Sequence, residues 1–181
     1  MNKFLKIFFL VIMLAIPLGI FIFLRIFGDN KFDIPVYYSE GLEDEVTNCS
    51  YKGGQFVVPD SLIAGKGPSV VLFFLEESDF NAITLDNHGR RLDDIFGEEI
   101  PEIFVYAEQS AALQEPNMQI RLLPKESLKQ IMQCGFILKD FNKYVLVDGK
   151  NRIRGYYGTE LEEVDRLIVE IKILLENGAD R

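Results

Sequence analysis

The chain has 181 residues, 48% of them hydrophobic and 26% charged, with 19 Lys and Arg against 28 Asp and Glu. This apolar content excludes a disordered chain, the density of charge excludes a polytopic membrane protein, and a net charge of -9 argues against the basic face that a nucleic-acid partner requires. The charge is unevenly spread: residues 1–28 carry Lys3, Lys6 and Arg25 and no acid, a net of +3, whereas residues 29–181 carry the other 16 bases and all 28 acids, a net of -12.

Residues 7–24 (IFFLVIMLAIPLGIFIFL) contain no charge. As a helix they span about 27 Å, close to the thickness of a bilayer core. Lys3 and Lys6 precede the run and hold the amino terminus in the cytoplasm, which sends the acidic remainder outward. A cleaved signal peptide is the competing reading. Against it, no A-x-A-like site follows, Arg25 stands where a cleavage region is small and neutral, and no Cys near the end of the run invites lipoprotein processing. Residues 1–28 are therefore read as an uncleaved, single-pass anchor. Residues 29–52 (with Glu40, Glu43, Asp44 and Glu45) read as a tether and lead-in, and 53–181 as one domain.

Within that domain the pattern alternates. Residues 55–58 (QFVV) read as a short strand closed by Pro59-Asp60, and 69–75 (SVVLFFL) as a central strand apolar on both faces. Ser78-Asp79 are placed to cap a helical stretch that Asn87-His88-Gly89 interrupts, with 91–96 as a further turn of helix. Strands are expected at 102–106 (EIFVY) and 119–123, then a helix over 125–133 opened by Pro124 and closed by Gly135. A buried strand at 144–147 (YVLV) turns through 148–151 into a hairpin partner at 152–157, with Arg152 and Arg154 on a solvent or partner-facing side together with Tyr156. The last helix opens with a capping box, Thr159 to Glu162. Leu161, Val164, Leu167, Ile168, Ile171, Leu174 and Leu175 form its apolar face, Glu162 pairs with Arg166 on the other, and Gly178 ends it. This order predicts an α/β fold of the thioredoxin arrangement: a mixed sheet with helices on both sides, ending in a hairpin and a helix.

Few residues carry chemistry. Cys49 and Cys134 stand 85 positions apart, outside any C-x-x-C or C-x-x-x-C spacing. They read either as a disulfide formed after export, tying the lead-in to the end of the third helix, or as two unrelated small residues. Cys134 at a helix carboxyl end is a poor nucleophile, because the helix dipole raises a thiol there. His88 is the single histidine, and a metal reading would have to recruit Asp79, Asp86 or Asp93 around it. A solvated loop histidine is the simpler reading. The acids Glu76, Glu77, Asp79, Asp93, Asp94, Glu98 and Glu99 read as solvated loop ends and helix starts rather than an acid–base pair. There is no G-x-S-x-G, P-loop or G-x-G-x-x-G.

The stretch 144–159 (YVLVDGKNRIRGYYGT), followed by 162–168 (EEVDRLI) and 171–175 (IKILL), resembles the Sco/SenC family. Residues 33–38 (DIPVYY) look like the lead-in phrase of the family's branch in Bacteroidetes-type bacteria, and 70–74 (VVLFF) match its first core strand. The resemblance implies a membrane-anchored, thioredoxin-fold relative of copper proteins that assist cytochrome c oxidase assembly. It also implies where the copper ligands would stand. After the first core strand the family carries C-x-x-x-C-P, and here 75–82 read LEESDFNA; its distal histidine precedes the L-V-D strand, and here 136–143 read FILKDFNK. Glu77, Ser78, Asn81 and Asp140 occupy these places, and none can replace a soft thiolate for copper(I). The expectation is a bacterial inner-membrane protein, anchored through 7–24, with a periplasmic domain that binds an envelope protein partner and uses no cofactor, metal or catalytic centre. Two alternatives stay open: a thiol-redox protein using Cys49, Cys134 or both, and an oxidase copper-assembly factor with unconventional ligands.

Overall fold

The computed structural model describes residues 3–27, 33–42, 49, 53–63, 67–77, 80–108 and 118–176. They fall into two compact units, Met1–Asp33 and Ile34–Arg181. The first contains one helix, α1 (Lys3–Phe27), which has no acid in its first turn and carries Pro17 inside it. From Lys3 to Phe23 it is long and apolar enough to cross a membrane, and it buries none of that surface within the protein. Helices in lipid tolerate such a proline because neighbouring groups re-satisfy the freed carbonyl.

The second unit is built on β1 (Ser69–Phe74), all six of whose residues are buried. After it come α2 (Ala82–Phe96), β2 (Glu102–Glu108), β3 (Gln119–Leu123), α3 (Lys125–Gln130), β4 (Tyr144–Val147), β5 (Ile153–Tyr157) and α4 (Leu161–Glu176). The sheet order is β3-β2-β1-β4-β5. β1, β2 and β3 run parallel, and β4 returns antiparallel to both β1 and β5. The core β1–α2–β2, α3, β4–β5, α4 is the thioredoxin arrangement, with β3 added at the β2 edge.

The two-residue period of β1 sorts the interior into two cores. Val70, Leu72 and Phe74 point to one face, where Leu85 and Leu92 of α2 and Val164, Leu167 and Ile171 of α4 cover them. Val71 and Phe73 point to the other, where Leu128, Met132 and Phe136 pack beside Phe56, Val58 and Ile63. A strand buried on both faces needs no polar alternation, which is why its sequence is continuously apolar.

Several local expectations change. Residues 55–58 form no ladder, although burial alternates through Phe56, Val57 and Val58. Single bonds from Phe56 N–H to Tyr38 O (3.1 Å) and from Val58 N–H to Asn151 O (2.8 Å) hold them instead. Helix α2 runs unbroken through Asn87-His88-Gly89. Gly89 is buried there, and a Cβ on it would lie 2.3 Å from Met118 Cε. The glycine's lost helix propensity, about 1 kcal/mol, is accepted so that Met118 can lie against the helix backbone. Asn81 is the cap of α2; Ser78 and Asp79 lie outside the described residues, as do residues 43–48 and Gly178. Helix α3 continues into a widened turn, Ile131–Gly135. At α4 the side chain that reaches back is Glu163, which accepts from Gly158 N–H at 3.3 Å, and Arg166 pairs with Glu163 (3.0 Å) and Glu170 (3.7 Å) rather than Glu162.

The largest correction is at the hairpin. Leu146 pairs with Gly155 and Val147 with Ile153, so Arg154 is the extra residue of a β-bulge. The bulge turns Arg154 inward, where it is 2% exposed, instead of leaving it on a solvated or partner-facing side with Arg152. Its Nη1 meets Asp148 Oδ2 at 3.1 Å, and its Nη2 donates to Ile34 O. Arg152, itself largely buried, donates to the same carboxylate at 2.7 Å.

Gly155 lies under the ring of Tyr157, whose hydroxyl donates to Glu170 Oε2 at 2.6 Å. A Cβ at Gly155 would sit 2.2 Å from that hydroxyl and 2.6 Å from the ring carbon that bears it. Gly155→Ala is therefore expected to displace Tyr157 and lower stability by about 1–3 kcal/mol, against about 1 kcal/mol for Tyr157→Phe, which loses only the hydrogen bond. Urea unfolding of the micelle-bound chain, followed by circular dichroism, compares the two.

Candidate functional site at the carboxyl end of β1

β1 ends at Phe74, and the chain leaves the sheet through Leu75, Glu76 and Glu77, both acids being exposed. Glu77 N–H donates to Phe80 O at 3.0 Å, turning the chain back. Phe80 is buried against Phe74, with ring centroids 5.6 Å apart. Asn81 then caps α2: its Oδ1 accepts from Thr84 N–H at 3.1 Å and lies 3.3 Å from Thr84 Oγ1. A cap satisfies one of the first-turn amide donors that an α-helix leaves open.

The segment before β4 closes the same end from the other side. Asn142 sits in the left-handed region at φ 55°. From there its backbone N–H donates to Phe73 O at 2.8 Å, and its Oδ1 accepts from Leu75 N–H at 2.8 Å. One side chain thus continues the β1 ladder past the last paired residue. Asparagine suits the position because its short polar side chain tolerates positive φ. Its Nδ2 is buried without a hydrogen-bond partner among the described residues. Asp140 and Lys139, by contrast, are exposed.

The sequence resemblance puts the family's copper-ligand positions at Glu77, Ser78, Asn81 and Asp140, and the structure gives the surroundings of the described ones. Glu77 and Asp140 are exposed acids on separate loops, and the Asn81 oxygen is engaged by Thr84. Ser78 lies outside the described residues. Among the described residues no group of three His, Cys, Asp or Glu comes together as a metal site. Carboxylate and amide oxygens are hard donors, whereas copper(I) selects thiolate and thioether sulfur. The donor set does not fit that ion.

His88 is not a solvated loop residue. It lies within α2, half-buried, with Nδ1 2.9 Å from the Tyr144 hydroxyl. Its ring is 5.8 Å from that of Phe80 and 6.0 Å from that of Tyr144. Burial, and then the positive Arg91 one turn on, hold the imidazole below its ordinary value of 6.5. Of the acids a metal reading would recruit, Asp86 is paired with Arg90.

Both cysteine sulfurs are elsewhere. Cys49 and Cys134 are joined in a disulfide, Cα atoms 5.5 Å apart, and neither is a free thiol. Cys134 belongs to the widened turn after α3, on the face opposite α2 and α4. Sequence reasoning missed Asn142, Phe80 and Tyr144 as parts of this end of the sheet. The one available signal was an asparagine placed just before a buried strand.

No protein-family profile and no curated protein sequence matches the chain. Among solved structures, one similar chain is a SCO1/SenC family lipoprotein from Bacillus anthracis str. Ames, with TM-score 0.48, 13% identity and coverage of 61% of this chain and 82% of that one. Another is BsSco, a member of the Sco family of cytochrome c oxidase assembly proteins, with TM-score 0.41, 11% identity and coverage of 58% and 77%. A third is a thiol:disulfide interchange protein from Bacteroides sp., with TM-score 0.43, 18% identity and coverage of 64% and 78%. The fold assignment stands on the strand order itself.

Replacing Asn142 by Ala removes the acceptor for Leu75 N–H and forces a Cβ residue without a polar side chain into positive φ, an expected loss of about 2–3 kcal/mol. Asn142→Gly keeps the backbone geometry and is expected to lose less. Reduction of the disulfide, or Cys134→Ser, opens a closure of 85 residues and is expected to lower stability by about 2–5 kcal/mol. Urea midpoints of the micelle-bound chain, with and without reductant, measure both effects.

Proposed function

We propose that this protein is a bacterial inner-membrane factor, anchored once through α1, whose thioredoxin-like domain on the periplasmic side binds an envelope protein partner without catalysis and without copper. The resemblance to the Sco/SenC family supports a role in assembling an envelope complex such as a respiratory oxidase. Orientation rests on Lys3 and Lys6 ahead of the apolar run.

One observation carries the reading. At the carboxyl end of β1, where that family holds its copper, Asn81 caps a helix and Asn142 extends the strand ladder. Among the described residues there, Glu76, Glu77 and Asp140 are exposed acids rather than soft ligands. Such an end supplies a shaped surface to a partner. The disulfide between Cys49 and Cys134 leaves a thiol-redox role without a nucleophile in this state. A copper role would need ligands of a different kind.

The test uses the full chain in its own membrane. A photo-crosslinker at Glu76 or at Ile83, which is 72% exposed on the first turn of α2, is expected to capture a specific envelope protein. The same crosslinker on α4, at exposed Val169, is expected not to capture it. Copper(I) titration against a competing chelator is expected to give no stoichiometric complex. Tight stoichiometric copper binding, or crosslinks that ignore position, would contradict the reading.

A further inference from the structure

His88 is the single histidine of the chain, and its surroundings give it two states of different consequence. The ring joins three elements: its own helix α2, Phe80 in the turn before that helix, and Tyr144 on β4. We propose that His88 is a pH-sensitive latch, which while neutral fastens Phe80 and the opening turns of α2 to β4, and which on protonation releases them.

Hydrogen-bond accounting gives the direction. Tyr144 is 2% exposed. Burial drives its phenol far above the ordinary value of 10.0, so it remains a hydroxyl that must donate its proton. The hydroxyl meets Nδ1 of His88 at 2.9 Å. If Nδ1 accepts that proton, the imidazole is neutral and carries its own hydrogen on Nε2. Protonation puts a hydrogen on Nδ1 as well. Nδ1–H then donates to the phenol oxygen, the hydrogen bond reverses, and the phenol's own O–H is left without an acceptor in a buried site. At the same time a positive charge enters a slot walled by two aromatic rings. Tilted rings near 6 Å return little of that cost.

Among the described residues no acid is paired with the imidazole. From β4 the titratable group facing the ring is Tyr144, and from the turn before α2 the described neighbour is Phe80, which carries no charge. On α2 itself it is Arg91, which repels an imidazolium and is already paired with Asp165 of α4. The latched imidazole is therefore held below 6.5, while a released one returns to that ordinary value. The released state binds more protons between these two values. The latch is fully closed above pH 6.5 and weakens as pH falls below it.

The full chain in lipid nanodiscs provides the test. Carbon-13-labelled histidine gives one imidazole signal, because the sequence holds one histidine. A spin label at Ile83→Cys, on the exposed first turn of α2, reports mobility of the helix opening. Between pH 8 and 5 both signals are expected to change reversibly with one shared midpoint below 6.5. His88→Gln, neutral at every pH, is expected to abolish the mobility change. Tyr144→Phe, which leaves no phenol to orphan, is expected to move both midpoints upward and serves if the glutamine variant fails to fold. A histidine midpoint at or above 6.5 would overturn the latch. So would a label whose mobility stays unchanged as the imidazole signal titrates, or a mobility change that survives in His88→Gln.

Discussion

The domain is gathered around one buried carboxylate. Asp148, at the end of β4, is 1% exposed, and each of its oxygens has more than one task. Oδ1 accepts the backbone N–H groups of Lys150 (2.9 Å) and Arg152 (3.0 Å), which shapes the turn between β4 and β5. Oδ2 meets Arg152 and Arg154. Arg154 in turn donates to Ile34 O, at the start of the compact unit, while Tyr37 N–H donates to Ile153 O at 2.9 Å. Turn, bulge and incoming chain therefore share one buried carboxylate with two arginines. Burying these charges is costly in itself, and removal of the carboxylate leaves both arginines uncompensated. The dense hydrogen bonding offsets that cost, and the geometry in return specifies how residues 34–37 lie along β5.

How much of this was legible depended on whether a residue's neighbours were close in sequence. β1 and β4 announced themselves as apolar runs because each is covered on both faces by the same sheet geometry. α4 was legible from its spacing, since its apolar stripe from Val164 to Leu175 meets a single core, although Leu161 at its start is exposed. Arg154 was not, because period-two alternation assumes an unbroken ladder and one bulge residue reverses the face. The Asn87-His88-Gly89 stretch reads locally as a turn. It is helical within α2, whose buried Leu85, Gly89 and Leu92 lie at helical spacing, and Met118, 29 positions later, lies where a Cβ on Gly89 would be. Residues 55–58 have strand-like burial without strand pairing, and a one-dimensional pattern cannot separate the two.

The candidate site shows the same division. The absence of a C-x-x-x-C motif was evident from the sequence, because it is a matter of residue type. The hydrogen bonds that hold this end of the sheet were not evident. Asn81 and Asn142 spend their oxygens on backbone amides of α2 and at the end of β1, so this end of the sheet is held by neutral hydrogen bonds. The disulfide staples the opposite face, and His88 joins α2 to β4 through a phenol.

The account depends most on Asp148 and Arg154 acting as one unit. A double-mutant cycle with Asp148→Asn, Arg154→Met and the pair together, read by urea unfolding of the micelle-bound chain, measures this directly. Asp148→Asn, which strands Arg154 and Arg152 together, is expected to cost about 3–5 kcal/mol, Arg154→Met, which leaves Asp148 paired with Arg152, less than that, and the double change less than their sum, because the second substitution removes one of the two stranded charges. Additive losses, or single losses below about 1 kcal/mol as for an exposed pair, would contradict it.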